Sequence, residues 1–300
     1  MRIVGIGEVV WDVFDSFEQL GGAPLNFAVQ VRRLGNEVDF ISAVGKDRRG
    51  DEALRLIDRY GLPTNRVPKL DVHPTGCVDV TVTDDGDPSY VIQRPAAYDF
   101  PSLTREELGE IASHGAQWIY YGTLQQTSPV AKELTQRLAA KLPSARRFYD
   151  MNLRRDSFSA ELVRDLLEQA SILKLNEDEA RTSRELLGGG SGGLEDYCSW
   201  VVKEFDLEGV CVTRGPDGCV VRIGDDYRES PGFQVDVEDA VGAGDAFAAG
   251  FVHGLGQGWE LPRVCEFANR LGALIASKAG ALSQWSADEL AAISTQRAEG

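Results

Sequence analysis

The sequence predicts an α/β fold with a mostly parallel central sheet and a small second sheet. Short apolar runs rich in β-branched residues alternate with longer segments of helical periodicity, which is typical of βαβ units in a parallel sheet. The segment 75–94 differs, because its apolar and polar residues alternate around an Asp-Gly pair. That alternation predicts an antiparallel hairpin with one face in solvent.

Short apolar runs are the predicted strands of the central sheet. In chain order they are 2–7, 38–44, 117–121, 146–151, 171–175, 209–213 and 218–223. Capping residues mark helix starts between them: Thr104 with Glu107, Ser128 before Pro129, and Ser286 with Glu289. The hydroxyl groups can accept backbone N–H groups that a first helical turn leaves without a partner, so the helix predictions rest on more than propensity.

The hairpin and a strand-like stretch at 9–14 are expected to form the small sheet, where a lid over a ligand would lie. We therefore predict a single domain, 1–300, with a lid formed by 9–14 and 75–98. The glycine-rich stretch 188–193 formally fits GxGxxG, but it follows a helical pattern and not a strand. We interpret it as a loop, which argues against a dinucleotide-dependent oxidoreductase.

Composition excludes several classes of partner. The 300 residues include 31 Lys and Arg against 47 Asp and Glu, a net charge of −16, so nucleic acid is not an expected partner. The five cysteines form no CxxC pair and the three histidines lie far apart, which favours reduced thiols over disulfides or a zinc site. With Glu8 and Asp12 near the start and no run of about 18 apolar residues, we expect neither signal peptide nor membrane span, and a cytoplasmic location.

The segment 237–251 holds the most informative motif. Glycines at 242 and 244 allow backbone N–H groups to crowd together where a helix begins, and such a helix start attracts an anion, most naturally a phosphate. Asp245 would lie in the first turn, where its carboxylate stays ionised and can accept a proton from a hydroxyl. A second glycine turn, Gly21-Gly22, also enters a helix, and Asn26 follows it with an amide that can bind a polyol.

With these two motifs in this order, the sequence closely resembles the PfkB or ribokinase-like family of carbohydrate kinases. The resemblance covers essentially the whole chain. It implies a ribokinase-like three-layer α/β/α fold with a mostly parallel central sheet and a small β-sheet lid. It also implies transfer of the γ-phosphoryl group of ATP to a sugar hydroxyl, with Mg²⁺ as cofactor and ATP as co-substrate.

The resemblance also assigns roles to residues that match the family's motifs. Asp245 matches the catalytic base, and the anion hole is matched by Gly242, Ala243 and Gly244. Sugar or substrate contacts are matched by Asp12, Gly22, Asn26 and Arg154, where Arg154 stands in the D-x-N-x-R stretch 150–154 and could instead be a surface cation. The nucleotide side is matched by Asn176, Thr213, Gly215, Gly218 and Asn269.

Two metal sites are implied in the same way. Glu179, in the N-x-x-E stretch 176–179, matches a position associated indirectly with Mg²⁺, and helix capping by Asn176 is compatible with that role. A monovalent cation, K⁺, is implied around Asp239, Val241 and Gly280, although Ala240 and Val241 depart from the family's usual pattern.

The acceptor sugar is left open among relatives of the same fold. The segments 21–28 and 93–99 look most like fructokinases, which favours fructose. A nucleoside kinase is also compatible, since Trp11 and Phe14 could form an apolar slot for a base. A ribokinase or a 2-keto-3-deoxygluconate kinase is compatible as well. A catalytically silent sugar sensor or scaffold is the alternative outside enzymes. Family members often dimerise through their lids, so a homodimer is a further expectation.

Overall fold

The computed structural model describes residues 1–82 and 88–293, with side chains omitted for 81–90. It contains two compact units. Unit 1 comprises Met1–Ile119 and Gln125–Ala145, and unit 2 comprises Tyr120–Leu124 and Arg146–Gly300. The division into one domain with a lid stays a prediction. The Asp-Gly pair at 85–86 lies outside the described residues.

Unit 1 begins with strands and helices in alternation. Its strands are β1 (Arg2–Ile6), β2 (Val10–Val13), β3 (Glu18–Gly21), β4 (Glu37–Ile41), β5 (Val44–Gly45), β6 (Lys69–Leu70), β7 (Gly76–Val82) and β8 (Pro88–Gln93). Its first helices are α1 (Ala23–Arg33), α2 (Arg48–Arg59) and α3 (Arg105–His114). Strand β9 (Trp118–Gly122) and helix α4 (Thr123–Gln126) have residues in both units, and α5 (Pro129–Lys141) returns to unit 1.

Unit 2 contains the later strands and helices. The strands are β10 (Arg146–Asp150), β11 (Ile172–Asn176), β12 (Gly209–Thr213), β13 (Cys219–Ile223) and β14 (Asp226–Ser230). The helices are α6 (Ala160–Glu168), α7 (Glu177–Leu187), α8 (Leu194–Glu204), α9 (Ala243–Gly256), α10 (Leu261–Ala276) and α11 (Ala287–Ala292). Among the described helices, none has both the length and the apolar character needed to cross a bilayer.

The predicted parallel strands are present with small shifts at their ends. In unit 1, β1 pairs with β4 in parallel, from Arg2 opposite Glu37 to Ile6 opposite Ile41. In unit 2, β10, β11 and β12 are parallel neighbours, followed by antiparallel β13 and β14. The side chains of the parallel strands are largely buried, as expected for strands covered on both faces. The α/β prediction is confirmed.

The small sheet has the strand order β3-β2-β7-β8 and lies within unit 1. The hairpin β7–β8 is antiparallel as predicted, and β2 is antiparallel to β3 and parallel to β7. One face packs into a small core of its own, formed by Val10, Val78, Val80, Ala96 and Tyr98. Strand β3 was not predicted, because it contains a single strongly apolar residue, Leu20, and forms by pairing with β2.

The predicted helix caps are present. Thr104 and Glu107 form a capping box at α3, and Ser286 and Glu289 form one at α11. Ser128 accepts a hydrogen bond from the N–H of Ala131 at the start of α5. The stretch 188–193 is the connection between α7 and α8, so its interpretation as a loop outside a dinucleotide motif is confirmed.

Asp47 is the N-terminal cap of α2 and also joins it to a distant loop. Its carboxylate accepts hydrogen bonds from Gly50 N at 2.8 Å, Thr75 N at 2.8 Å and Thr75 Oγ1 at 2.7 Å. Partial burial acts to raise the pKa of Asp47, but these hydrogen bonds outweigh burial and hold that pKa below its ordinary value. The ionised form therefore stabilises the fold above the ordinary pKa, and this contribution is lost as the pH falls through the folded-state pKa.

We expect Asp47→Ala to lower the free energy of unfolding by about 1–2 kcal/mol at neutral pH, since it removes a helix cap and two bonds to Thr75. The difference from wild type should shrink as the pH falls below about 3.9, the ordinary aspartate pKa, because the unfolded chain then binds a proton more readily than the folded carboxylate does. Urea unfolding across this pH range measures both effects. Asp58→Ala, an exposed carboxylate in the same helix, is the control and should change stability by less than about 0.5 kcal/mol.

Candidate active site

The glycine turn before α9 is built as the sequence predicts. Gly242 is the N-terminal cap with φ of 82°, a left-handed conformation that favours glycine. A Cβ at this position would lie 2.3 Å from the Cβ of Ala281, so no larger residue fits without movement of the chain. Helix α9 starts at Ala243, whose N–H donates to Ala240 O at 3.2 Å. The N–H groups of Gly244 and Asp245 follow in the first turn, where a helix supplies no acceptor of its own. The turn can therefore receive an anion at the positive end of the helix dipole.

Asp245 lies in the first turn of α9, directly after the glycine turn. Its side chain is largely buried, with 9% of the residue exposed. The helix N-terminus favours the charged form of a carboxylate in this position. An ionised carboxylate beside an anion site is the arrangement that a general base for a bound hydroxyl requires.

A buried ion pair that the sequence analysis did not single out lies beside this turn. Lys174 on β11 donates to both carboxylate oxygens of Asp150, at 2.9 and 3.1 Å. Asp150 ends β10, is fully buried, and accepts a further hydrogen bond from Tyr120 Oη at 2.9 Å. A sequence signal existed, because Lys174 interrupts the apolar run 172–175 and an unpaired lysine in a buried strand is costly.

Lys174 reaches the first turn of α9. A Cβ built on Gly244 would lie 3.3 Å from the ammonium nitrogen of Lys174. Burial acts to lower the pKa of Lys174, but the carboxylates of Asp150, Glu179 and Asp245 outweigh burial and raise that pKa above its ordinary value. Lys174 is therefore a permanently charged ammonium at the edge of the candidate anion hole.

Asn176 and Glu179 form the capping box at the start of α7. Glu179 N donates to Asn176 Oδ1 at 2.9 Å, and Asn176 N donates to Glu179 Oε2 at 2.8 Å. The other carboxylate oxygen of Glu179 accepts from Leu153 N at 2.8 Å. Burial raises the pKa of Glu179 against the Lys174 charge and these hydrogen bonds. Both oxygens of Glu179 thus accept backbone N–H groups, and its indirect association with a metal ion stays a prediction.

Mg²⁺ is the metal that the family resemblance implies for this site. Within residues 1–82 and 88–293, no cluster of three or more His, Cys, Asp or Glu side chains could hold a metal ion. Mg²⁺ typically keeps several waters and binds through substrate phosphates with one or two carboxylates. The binding of Mg²⁺ by residues of this chain stays a prediction.

The residues expected on the nucleotide side lie at strand ends, at the turn after β12 and on α10, all in unit 2, with Asn176 opposite Thr213 in the register. Thr213 ends β12, and Gly215 and Gly218 follow it with φ of 56° and 89°. A Cβ on Gly218 would lie 2.1 Å from Ser230 O, so this glycine is needed for packing. The amide nitrogen of Asn269, on α10, is within 3.1 Å of Pro231 O and holds the loop after β14.

Asp239 connects two loops close to the start of α9. Its carboxylate accepts from Val241 N at 2.9 Å and from Gly280 N at 3.2 Å. Each carboxylate oxygen keeps a lone pair after accepting one N–H group, so this arrangement leaves the Asp239 carboxylate able to contact a cation near these loops. The structure thus brings Asp239, Val241 and Gly280 together as the sequence analysis expects.

Unit 1 brings the expected sugar contacts together. A Cβ on Gly21 would lie 3.4 Å from Asp12 Oδ2 and 4.0 Å from Asn26 Oδ1, so both oxygens surround one glycine. Gly22 has φ of 116°, and a Cβ there would lie 2.5 Å from Glu8 O. Glu8 is buried beside this turn and was not among the predicted site residues. A carboxylate and an amide oxygen at this spacing can accept hydrogen bonds from neighbouring hydroxyl groups of a polyol.

Three other residues were given possible roles by the sequence: Arg154, Trp11 and Phe14. Arg154 lies on the loop after β10 with an exposed side chain. Trp11 is 7% exposed, its indole N–H donates to Arg49 O at 3.1 Å, and it projects to the opposite face of β2 from Asp12. Phe14 stacks on Phe17 with ring centroids 4.4 Å apart. Trp11 and Asp12 therefore lie on opposite faces of β2, and the slot for a base that Trp11 and Phe14 could form stays a prediction.

Known proteins are similar to this chain in sequence and in fold. The family model described as pfkB family carbohydrate kinase matches residues 7–288. A fructokinase of Escherichia coli is 30% identical over 277 residues, covering 88% of this chain and 87% of the relative. An ATP-dependent ribose-1-phosphate kinase of Halopiger xanaduensis is 29% identical and covers 99% of both chains.

A solved structure gives the same assignment of fold. The crystal structure of a fructokinase with bound ATP from Xylella fastidiosa superposes with a TM-score of 0.82 at 22% identity, covering 94% of each chain. This similarity confirms the ribokinase-like α/β fold. Since the family model spans nearly the whole sequence, the chain belongs to the pfkB family of carbohydrate kinases.

Proposed function

We propose that this carbohydrate kinase is a fructokinase, which transfers the γ-phosphoryl group of ATP to a hydroxyl of fructose. The observation that carries the proposal is the position of Asp245, buried in the first turn of α9 directly after the Gly242–Gly244 turn. A base and an anion site are adjacent there on one rigid helix start. Phosphoryl transfer requires this pairing of proton acceptor and charge stabiliser.

In the proposed reaction Asp245 accepts the proton of the sugar hydroxyl. The bond from the hydroxyl oxygen to the γ-phosphorus forms while the bond from that phosphorus to the bridging oxygen of ADP breaks. Main-chain N–H groups of the Gly242–Gly244 turn stabilise the negative charge on the transferred group. Bound Mg²⁺ supplies further neutralisation of the phosphates, and Glu179 contributes by holding Asn176 and Leu153 in place.

Binding roles are assigned to residues of both units. Sugar hydroxyl groups are assigned to Asp12, Gly22 and Asn26, and Arg154 is assigned to an anionic part of a substrate. Nucleotide contacts are assigned to Asn176, Thr213, Gly215, Gly218 and Asn269. The proximity of Asp12 Oδ2 and Asn26 Oδ1 to Gly21 supports the first group, since both are oxygen acceptors around one turn.

Fructose is proposed over other acceptors on two grounds. The segments 21–28 and 93–99 resemble those of fructokinases, and the fructokinase of Escherichia coli is 30% identical over most of the chain. A nucleoside acceptor is less well supported, because Trp11 is buried and projects away from Asp12. A phosphorylated pentose is the second candidate, since the ribose-1-phosphate kinase of Halopiger xanaduensis aligns over 99% of the chain.

An ADP-release assay with Mg-ATP tests the proposal. The acceptors are fructose, ribose, ribose 1-phosphate, 2-keto-3-deoxygluconate, fructose 6-phosphate and adenosine, with Asp245→Asn as the inactive control. Turnover with fructose that the variant abolishes would support the full proposal. Turnover with another acceptor would keep the reaction and reject fructose, and nucleotide binding without turnover on any acceptor would favour a sugar-sensing or scaffold role.

A monovalent cation is proposed near Asp239, and its effect is testable. We expect K⁺ to raise kcat several-fold over an equal concentration of tetramethylammonium, because a bound cation would order the loops that precede α9. Asp239→Ala should lower kcat by about tenfold and remove the response to K⁺, since its carboxylate holds Val241 and Gly280. Glu238→Ala, an exposed neighbour in the same loop, is the matched control. Equal rates in both salts would reject the cation proposal.

The remaining proposals concern organisation and location. We propose one kinase domain over 1–300 with the small sheet as its lid, a cytoplasmic location, and a homodimer formed through the lid. Support for the dimer comes from Phe17 in the turn between β2 and β3 and from Val91 on β8, which are 54% and 52% exposed. A contiguous exposed apolar patch is what marks a surface that binds another protein chain.

A further inference from the structure

The Lys174 ammonium is surrounded by more carboxylates than a single ion pair contains. Its ammonium is bound by Asp150, and Glu179 and Asp245 add two further carboxylates from α7 and α9. The lysine side chain is 8% exposed and that of Asp150 is fully buried. A buried pair of this kind contributes little net stability, because desolvation of both ions offsets their attraction. Stability alone therefore gives no reason for a cation at this position.

The location of the ammonium suggests what it does. Its nitrogen lies 3.3 Å from the position that a Cβ on Gly244 would occupy, so it is in contact range of the turn assigned to the anion hole. Without this charge, Asp150, Glu179 and Asp245 would leave net negative charge behind a turn that must accept a phosphoryl group. Asp150 and Tyr120 fix the ammonium from the side of β10 and β9.

We propose that Lys174 is a positioning residue for phosphoryl transfer, whose anchored ammonium balances the surrounding carboxylates and keeps the Gly242–Gly244 turn receptive to the transferred phosphoryl group. This inference rests on the proposed kinase function. It assigns Asp150 and Tyr120 to the support of Lys174. It adds a fixed protein charge to the main-chain N–H groups already assigned to the anion hole.

The first variant is Lys174→Met, which keeps the length of the side chain and removes its charge. We expect kcat to fall by about 100-fold and the KM for the sugar to change by less than about threefold, because the charge acts through the Gly242–Gly244 turn and not on the sugar. Calorimetric titration should show affinity for a non-hydrolysable ATP analogue reduced by about tenfold, with affinity for ADP unchanged, since ADP lacks the γ-phosphoryl group.

Two controls separate positioning from folding. Arg146→Met removes an ion pair with Glu208, 2.7 Å long, at the other end of β10 and should leave kcat unchanged. The double variant Lys174→Met/Asp150→Asn removes the unpaired buried carboxylate that the single variant leaves behind, so its Tm should recover toward wild type. The kcat of the double variant should stay low. Its affinity for the ATP analogue should still be reduced, while its affinity for ADP stays unchanged. If the single variant does not fold, this double variant carries the test.

The outcomes distinguish this inference from the proposed function. Wild-type turnover on a sugar tests the kinase proposal by itself. Given that turnover, the inference is wrong if folded Lys174→Met or the double variant keeps kcat within about threefold of wild type. The inference is also wrong if Lys174→Met binds the ATP analogue and ADP with equally reduced affinity, and if both affinities recover together with the Tm in the double variant. That result would show a role in folding alone.

Discussion

Asp245→Asn is expected to lower kcat by about 10²–10⁴-fold, because asparagine cannot accept the proton of the sugar hydroxyl. The substitution keeps the size of the side chain and leaves the glycine turn of α9 intact. Affinity for ADP should therefore stay within about threefold of wild type. Steady-state kinetics with the preferred sugar, combined with calorimetric titration of ADP, measures both quantities. A split between lost turnover and retained binding is the signature of a group that acts in the transfer step.

Asp288→Asn is the matched control for Asp245→Asn. Asp288 is an aspartate in the first turn of a helix, α11, as Asp245 is in α9, but its side chain is exposed. Loss of favourable interaction with a helix N-terminus costs about 0.3–1 kcal/mol in either variant. Only Asp245→Asn should lose turnover. Near wild-type kcat in Asp245→Asn would remove this residue from the role of base and leave the proposed mechanism without a proton acceptor.

Gly242→Ala is expected to lower the free energy of unfolding by about 2–4 kcal/mol and to reduce kcat by at least about tenfold. Two causes add. Alanine at φ of 82° costs about 1–2 kcal/mol in backbone strain. The added methyl group would lie 2.3 Å from the Cβ of Ala281, so the start of α9 or the loop at 281 must move. Urea unfolding and steady-state kinetics on the same preparation measure the two effects.

Gly258→Ala separates these two causes. Gly258 follows the other end of α9 with φ of 70°, and no described atom lies within 4 Å of an added Cβ there. Gly258→Ala should therefore lower the free energy of unfolding only by the cost of backbone strain, about 1–2 kcal/mol, and leave kcat unchanged. If Gly242→Ala were no worse than Gly258→Ala in both stability and kcat, the close approach to Ala281 would not matter for the site.

Most of the fold could be predicted from the sequence. The parallel strands and the hairpin β7–β8 follow from the period of apolar residues, which reflects which faces are covered. Strands β3 and β14 were missed, since Glu18–Gly21 and Asp226–Ser230 have polar sequences and become strands by pairing with β2 and β13. An edge strand of this kind depends on the hydrogen-bonding groups of its neighbour more than on its own side chains.

In the candidate site, too, some residues could be predicted from the sequence and others could not. The Gly242–Gly244 turn, Asp245 in the first helical turn and helix capping by Asn176 were predicted, because each is a local arrangement within a few residues. Lys174 was not singled out as a site residue, and its partner Asp150 is 24 positions away in the sequence. The ion pair forms because β10 and β11 are parallel neighbours, with Asp150 opposite Lys174 in the register.

The sequence by itself determined the elements whose formation depends on near neighbours: helix starts, the glycine turns, the alternation of strand and helix, and the family motifs. Tertiary structure decided which distant side chains meet. It placed Asp12 and Asn26 around Gly21, and the Lys174 ammonium between Asp150 and the turn at Gly244. The physical reason is that capping and turn energies act over three or four residues, whereas charge pairing and strand register depend on distances in space that only the packed chain defines.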